Sequence, residues 1–404
     1  MTRAQGRTAF LGAAFLMATS AVGPGFLTQT TVFTDSLGAS FAFAILVSVV
    51  FDLAAQLNIW RVLIAAGRPA QSVANQLLPG LGMALSLLVA AGGFAFNIGN
   101  VAGAGLGLDA LLGLDPRVGA AVSAALAVLI FVAREAGRIM DRFAQLMGGL
   151  MVILATTVAF TAHPPVGDAL VNAILPARID GLAIVTIVGG TVGGYITFAG
   201  AHRLLDAGIA GPAELPGALR SAGLGIGVAT VMRVVLFLGA LGIVSQGLTL
   251  DPSNPPASVF EHAAGPLGRR FFGLVMWAAA MTSIVGSAYT SVTFLIGARP
   301  ASEGGEDAER ARRRRATIIG FIVASTAVFL AVGRPVMLLI VVGALNGLIL
   351  PVGLGAMLLA ARRGLGAPDH PRFLAAAGWI VALVMAGLGG YTLVTQIPPL
   401  FRGG

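Results

Sequence analysis

The stretch Val22-Gly23-Pro24-Gly25-Phe26-Leu27-Thr28-Gln29-Thr30-Thr31 interrupts an apolar run, and its reading decides the fold. Pro24 removes a backbone donor, and Gly23 and Gly25 permit the turn that unwinds a helix. The flanking sequence is apolar enough to lie in hydrocarbon, where each unsatisfied peptide group costs several kcal/mol. An unwound segment persists there only if it lines a polar cavity. Thr28, Gln29, Thr30 and Thr31 place four hydrogen-bonding side chains within two turns of the new helix start. The amides exposed at that start suit an anion.

The surrounding chain places this break in a bilayer. Its 404 residues are 57% hydrophobic and only 10% charged, with a mean hydropathy of +0.91, which is more apolar surface than one water-soluble core can hide. Stretches near bilayer length, roughly 20 residues each, fall at 9–35, 40–60, 79–108, 118–133, 143–162, 181–206, 217–247, 271–298, 316–333, 335–361 and 373–395. These eleven segments predict an all-α, multi-pass integral membrane protein. The opening, with Arg3, Arg7 and a run ending Ala18-Thr19-Ser20-Ala21, has the outline of a signal peptide. The polar, glycine-rich continuation suits a helix that stays in the membrane.

All 25 basic residues are arginine, and the formal net charge is +8. They cap apolar segments instead of forming a patch, which argues against a nucleic-acid partner and for a lipid bilayer. Eighteen fall on one side: Arg3, Arg7, Arg61, Arg68, Arg134, Arg138, Arg142, Arg203, Arg220, Arg299, Arg310, Arg312 to Arg315, Arg362, Arg363 and Arg372. Six fall on the other, and Arg233 alone lies within a segment. The bias predicts a cytoplasmic amino terminus and, after eleven crossings, an outside carboxyl terminus, in a bacterial inner membrane. The polar run from Arg299 to Arg315, with Glu303, Glu306, Asp307 and Glu309, reads as a cytoplasmic loop. There is no cysteine, so neither disulfides nor thiolate chemistry enter.

A second interruption, at Gly189-Gly190 and again at Gly193-Gly194, falls in the sixth segment, five helices after the first. Breaks at corresponding places in two halves point to an inverted-repeat secondary transporter with its solute near the bilayer midplane. The expected organisation is 1–170 for helices one to five, 171–362 for helices six to ten, and 363–404 for an added eleventh helix and tail. Such a carrier needs no cofactor.

Candidate solute contacts are Gly23, Gly25, Phe26, Thr28 and Gln29 at the first break, and Gly193, Gly194, Tyr195 and Thr197 at the second. Asn97 and Asn100 share one face of the third helix and either line the pathway or bond across helices. His202, beside Arg203 and Asp206, could titrate near neutrality and serve proton coupling, or simply be a solvated helix-end residue. Asp52 and Arg233 are strong charges well inside the second and seventh segments, each costing roughly 2.5 to 3.5 kcal/mol on insertion scales. They are expected to pair and to serve coupling, or each to face a watery cavity. Gly223-Leu224-Gly225-Ile226-Gly227 lacks the last glycine and the preceding strand of a dinucleotide fingerprint. Without paired carboxylates, a nucleophile elbow or clustered histidines, an enzyme is not expected.

Three strings, Val22-Gly23-Pro24-Gly25-Phe26, Gly189-Gly190-Thr191-Val192-Gly193-Gly194-Tyr195 and Asn346-Gly347-Leu348-Ile349-Leu350-Pro351, together with the order of the breaks, resemble the NRAMP family of metal-ion transporters. That resemblance implies the 5+5 inverted-repeat fold of the bacterial leucine transporter, with helices one and six broken. In metal-carrying members the first break reads Asp-Pro-Gly-Asn and the sixth helix Met-Pro-His. Here the matching positions are Gly23, Phe26, Gly193, Gly194 and Tyr195, so no side-chain metal ligand is assigned. Divalent cations prefer anionic ligands, and the fold transfers more readily than the cargo. The expected function is secondary transport by alternating access of a small polar organic solute or carboxylate. The alternative is a divalent cation, manganese, iron or magnesium, held in a reorganised site.

Overall fold

In the computed structural model, the structure describes residue 10 and residues 22–132, 134–296, 308–366 and 369–402, with no strand among the described residues. Arg3, Arg7, the incoming half of the first helix at 11–21, Arg299, and Glu303, Glu306 and Asp307 lie outside the described residues. Helix α1 (Pro24–Leu37) has proline in its first turn, where the missing N–H is tolerated, and stops at Gly38, whose φ is 57°. A single tight turn, Gly38–Ser40, leads to α2 (Phe41–Ala66). Then follow α3 (Ala70–Leu77), α4 (Leu81–Leu112), α5 (Pro116–Val132), α6 (Arg134–Thr161) and α7 (Val166–Ile174). The sixth expected segment is the pair α8 (Gly181–Thr191) and α9 (Ile196–Asp206). Helices α10 (Leu215–Ser245), α11 (Pro255–Ile296), α12 (Ala308–Val332), α13 (Pro335–Arg362), α14 (Arg372–Tyr391) and α15 (Ile397–Arg402) complete the chain.

Among the described residues eight stretches are long and apolar enough to cross a bilayer, or nine if the last part of α6 and α7, bent by 103°, form one. The first, Pro24–Ala66, contains 43 residues, about 65 Å of helix or twice the hydrocarbon thickness, and so carries the first two expected segments. The fourth segment is the shorter α5 and the fifth the bent pair. Large apolar side chains cover the outside, with Phe160 77% and Phe373 78% exposed, a surface that suits lipid and not water.

Inside, the helices approach through small residues, as membrane bundles do. Helices α4 and α11 are pressed together where a Cβ on Gly107 would lie 2.7 Å from Trp277 N and one on Gly273 2.6 Å from Leu111 N. Helix α4 also takes the ring of Pro24 against Gly103, which fixes the start of α1 beside it. At the other end of α1, Arg178 Nη2 donates to Ser36 O at 2.7 Å and Ser40 Oγ to Asn172 Oδ1 at 3.0 Å, tying α7 to the α1–α2 turn.

A polar clasp holds the segment before α14 to the end of α2. Arg61 Nη2 donates to Asp369 O at 3.0 Å, and Asn58 Nδ2 donates to Ala54 O at 2.7 Å and Leu374 O at 2.9 Å. With the Asn58 amide nitrogen so used, its Oδ1 accepts from His370 Nε2, 2.7 Å away, while His370 Nδ1 is buried without a partner. Burial, and then the charge of Arg61, lower the His370 pKa below its ordinary 6.5. The folded chain therefore binds this proton less readily than the unfolded chain, and the clasp's contribution is complete above about pH 6.5 and shrinks as pH falls through the lower folded value. Acidifying purified protein from about pH 7 to about pH 5 should lower its thermal midpoint in detergent, and His370→Gln should flatten that dependence. An unchanged slope in the variant would show that other groups govern it.

Candidate functional site

The first break is built by sequence and held by neighbours. Gly23 is extended, with φ −107° and ψ −172°, and no side chain caps the helix that Pro24 begins. Behind it, Ser283 Oγ of α11 and Asn100 Oδ1 of α4 lie 3.7 and 4.0 Å from the position of a Cβ on Gly23. Thr30, Thr31 and Thr34 each donate to a carbonyl one turn back, to Phe26 O, Leu27 O and Thr30 O, and so are spent on their own helix. Thr28 Oγ1 is buried without a partner. Gln29 reaches across to α13, donating from Nε2 to Leu339 O at 2.8 Å, while its Oε1 is unpartnered. Cβ atoms placed on Gly190 and Gly343 would lie 2.7 and 2.5 Å from that amide. Gln29 thus sits where α1, α8 and α13 meet.

The second break lies at Val192 to Tyr195, with φ −126° and ψ 0° at Val192 and φ +56° at Gly194. Gly189 and Gly190, expected as part of it, are instead inside α8, where Gly189 lets the backbone of α13 approach at Gly343 and Gly347. One unwound carbonyl is answered locally, where Thr197 Oγ1 donates to Val192 O at 2.6 Å, and Trp60 Nε1 of α2 holds the first turn of α9 by donating to Thr197 O at 2.9 Å. From α13, Asn346 Nδ2 donates to Val342 O at 3.0 Å and Gly92 O at 3.2 Å. Its unpartnered Oδ1 faces Gly194 so closely that a Cβ there would overlap it. Tyr195 packs edge-on to Phe96, with ring centroids 5.5 Å apart.

Between the breaks lies a cavity of about 10 Å³, room for roughly one water, lined by Phe26 just after the first break and Thr191 just before the second. Asp52 of α2 and Arg233 of α10, 2% and 3% exposed, line the same cavity with Ser48 and Thr230. Arg233 has a long contact from Nη1 to Ile187 O, 3.4 Å, and its guanidinium lies 4.2 Å over the Phe26 ring. Among the described residues no hydrogen bond or ion pair joins Arg233 to Asp52, and Arg233 Nε and Nη2 and Asp52 Oδ1 are buried without partners.

The structure thus brings together Phe26, Asp52 and Arg233 of the residues singled out in the sequence. Asn97 lies elsewhere, donating to Ser325 Oγ at 3.0 Å and accepting from Ser287 Oγ at 2.9 Å, and so bonds α4 to α11 and α12. His202 Nε2 accepts from Ala70 N at 3.1 Å at the start of α3, and its ring stacks 4.4 Å from Phe294. Ser48 was not singled out, and Thr191 and Asn346 entered only within the strings that carry the family resemblance, with no site role given to either. Among the described residues no group of three or more histidine, cysteine or carboxylate side chains is placed to hold a metal ion.

The sequence profile of the Nramp family, described as natural resistance-associated macrophage protein-like, matches residues 14–395. An uncharacterized membrane protein of Bacillus subtilis, YcsG, is 53% identical over 393 residues, covering 97% of this chain and 95% of that one. One from Haemophilus influenzae, also uncharacterized, is 53% identical over 397 residues and 98% of each. Among solved structures, a manganese transporter of Eremococcus coleocola, in complex with an aromatic bis-isothiourea substituted compound, superposes with a TM-score of 0.69 at 15% identity, over 96% of this chain and 87% of that one. MhsT in complex with L-phenylalanine superposes with a TM-score of 0.65 at 17% identity, over 94% and 97%. At these identities the likeness is one of fold.

The Gly194–Asn346 contact is testable by a mutant cycle. Gly194→Ala should destabilise the protein by about 1–2 kcal/mol from its left-handed backbone alone, and more from the overlap with Asn346. The loss should be smaller in an Asn346→Ala background, read as thermal midpoints in detergent. Equal losses in both backgrounds would mean that the two positions do not touch.

Proposed function

The chain belongs to the Nramp family, and on that premise we propose that this integral membrane transporter works by alternating access on a small organic solute bearing a carboxylate. The observation that carries the reading is Arg233: a buried guanidinium in the cavity between the breaks, with Nε and Nη2 unpartnered. A guanidinium repels a metal ion and offers a carboxylate two parallel donors. The first break adds uncapped amides nearby, a further attraction for an anion. In this reading Phe26 and Thr191 bound the cavity, and Gly23 and Gly25 at the first break and Gly193, Gly194, Tyr195 and Thr197 at the second shape the backbone beside it. The units 1–170 and 171–362 are the two inverted halves, with 363–404 appended, the amino terminus cytoplasmic and the carboxyl terminus outside a bacterial inner membrane.

A proton is the expected coupling ion. His202 accepts the Ala70 N–H only while Nε2 is unprotonated, so protonation releases the start of α3. Asp52 and Arg233, also expected among the coupling groups, line the cavity itself and so take part in recognition. A divalent cation is the second reading. It is favoured by the fold shared with a manganese transporter and by the unpartnered oxygens Gln29 Oε1 and Asn346 Oδ1 beside the breaks.

Uptake into proteoliposomes separates the two. Small labelled carboxylates should enter saturably, and Arg233→Gln should cut uptake at least about tenfold, the loss of one charge-assisted hydrogen bond, with Arg233→Lys intermediate. Saturable manganese uptake abolished by Gln29→Ala, with no carboxylate uptake, overturns the organic-solute reading. Insensitivity to an imposed pH gradient removes His202 from coupling.

A further inference from the structure

Asp52 and Arg233 feel each other's charge but make no direct ion-pair contact among the described residues. Two charges taken out of water are stabilised only when they meet directly and their remaining valences are filled. Here both are nearly inaccessible, both line the cavity between the breaks, and neither bonds the other among the described residues. Three valences stay open: the Nε and Nη2 donors of Arg233 and the Oδ1 acceptor of Asp52. Nε and Nη2 form one edge of the guanidinium fork, the edge that takes a carboxylate side-on.

The hydroxyls of the cavity add an independent constraint. Ser48 donates to Ile45 O at 2.8 Å, Thr191 to Ile187 O at 2.7 Å and Thr230 to Ile226 O at 2.8 Å. With their protons committed, these three oxygens can only accept. Apart from Arg233, the polar groups of the wall therefore call for a ligand that donates. Charge gives the same answer. One carboxylate and one guanidinium balance, so a molecule with no net charge adds no unpaired charge to a low-dielectric site, whereas a lone anion or cation does.

We infer that Asp52 and Arg233 together form a recognition site for a small zwitterion of the amino-acid type, its carboxylate on Arg233 Nε and Nη2 and its ammonium on Asp52 Oδ1 and the hydroxyl oxygens. This rests on the organic-solute reading and narrows it. Phe26, stacked on the guanidinium and next to the first break, covers one side of the site.

The experiment measures thermal stabilisation and proteoliposome uptake of the full chain with each proteinogenic amino acid, the matching carboxylic acid lacking the amino group, and the matching amine lacking the carboxylate. At least one amino acid should bind about tenfold or more tightly than both of its analogues, the loss of one charged hydrogen bond in each case. Asp52→Asn should abolish the preference over the deamino acid while keeping that over the amine, and Arg233→Gln should do the reverse. A folding defect would not produce this crossed pattern, and if either variant fails to fold the wild-type ranking of the three analogues decides alone. A deamino acid taken up as well as its amino acid, with Asp52→Asn unchanged, overturns the zwitterion site and leaves the carboxylate reading standing. Manganese uptake with no response to any organic probe overturns both, and no response to any amino acid overturns the site.

Discussion

An interrupted helix in hydrocarbon must have every freed peptide group answered, and the arrangement around the cavity follows from that requirement. At the second break Thr197 answers Val192 O, Trp60 on α2 bonds the first turn of the helix that follows, and Asn346 on α13 lies against Gly194 while bonding Gly92 of α4. At the first, the ring of Pro24 is seated against Gly103 of α4, which in turn lies tightly on α11. None of these contacts uses Asp52 or Arg233, the charged side chains that line the cavity, so those two are not spent on holding the breaks.

The fold is shared with a manganese transporter at 15% identity, while the cavity between the breaks presents one carboxylate, one guanidinium and three hydroxyls. Phe26 is instructive. It follows the break directly and presents a ring face to Arg233 of α10, a cation–π contact at 4.2 Å, so that an apolar residue in the first turn packs on a buried cation.

Much of this was legible in the sequence because glycine, proline and buried charge are loud signals. The breaks were found from Gly23-Pro24-Gly25 and Gly193-Gly194, and Asp52 and Arg233 stood out as strong charges within apolar segments. Gly189 and Gly190 misled, because a glycine that admits a neighbouring backbone has the same letter as one that unwinds a helix. Asn97 could line a pathway or bond across helices, and only the positions of Ser287 and Ser325 decide for the second. Asn346 gave no signal of its own, since its role depends on Gly92 and Gly194, far away in the chain. Side-chain identity carries local conformational need; partnership across helices needs the third dimension.

The contact centred on Gln29 has a mechanical consequence. Helices usually lock by ridges of side chains seated in grooves, so sliding one past another means climbing over those ridges. Around Gln29 the facing positions on α8 and α13 are Gly190 and Gly343, which have no side chains to interlock. Gln29 fills the space these glycines leave, and one hydrogen bond, from Gln29 Nε2 to Leu339 O, is the polar catch of the junction of α1, α8 and α13. A shift of α1 against its neighbours there must exchange that carbonyl for another and carry a single side chain, Gln29, out of its seat.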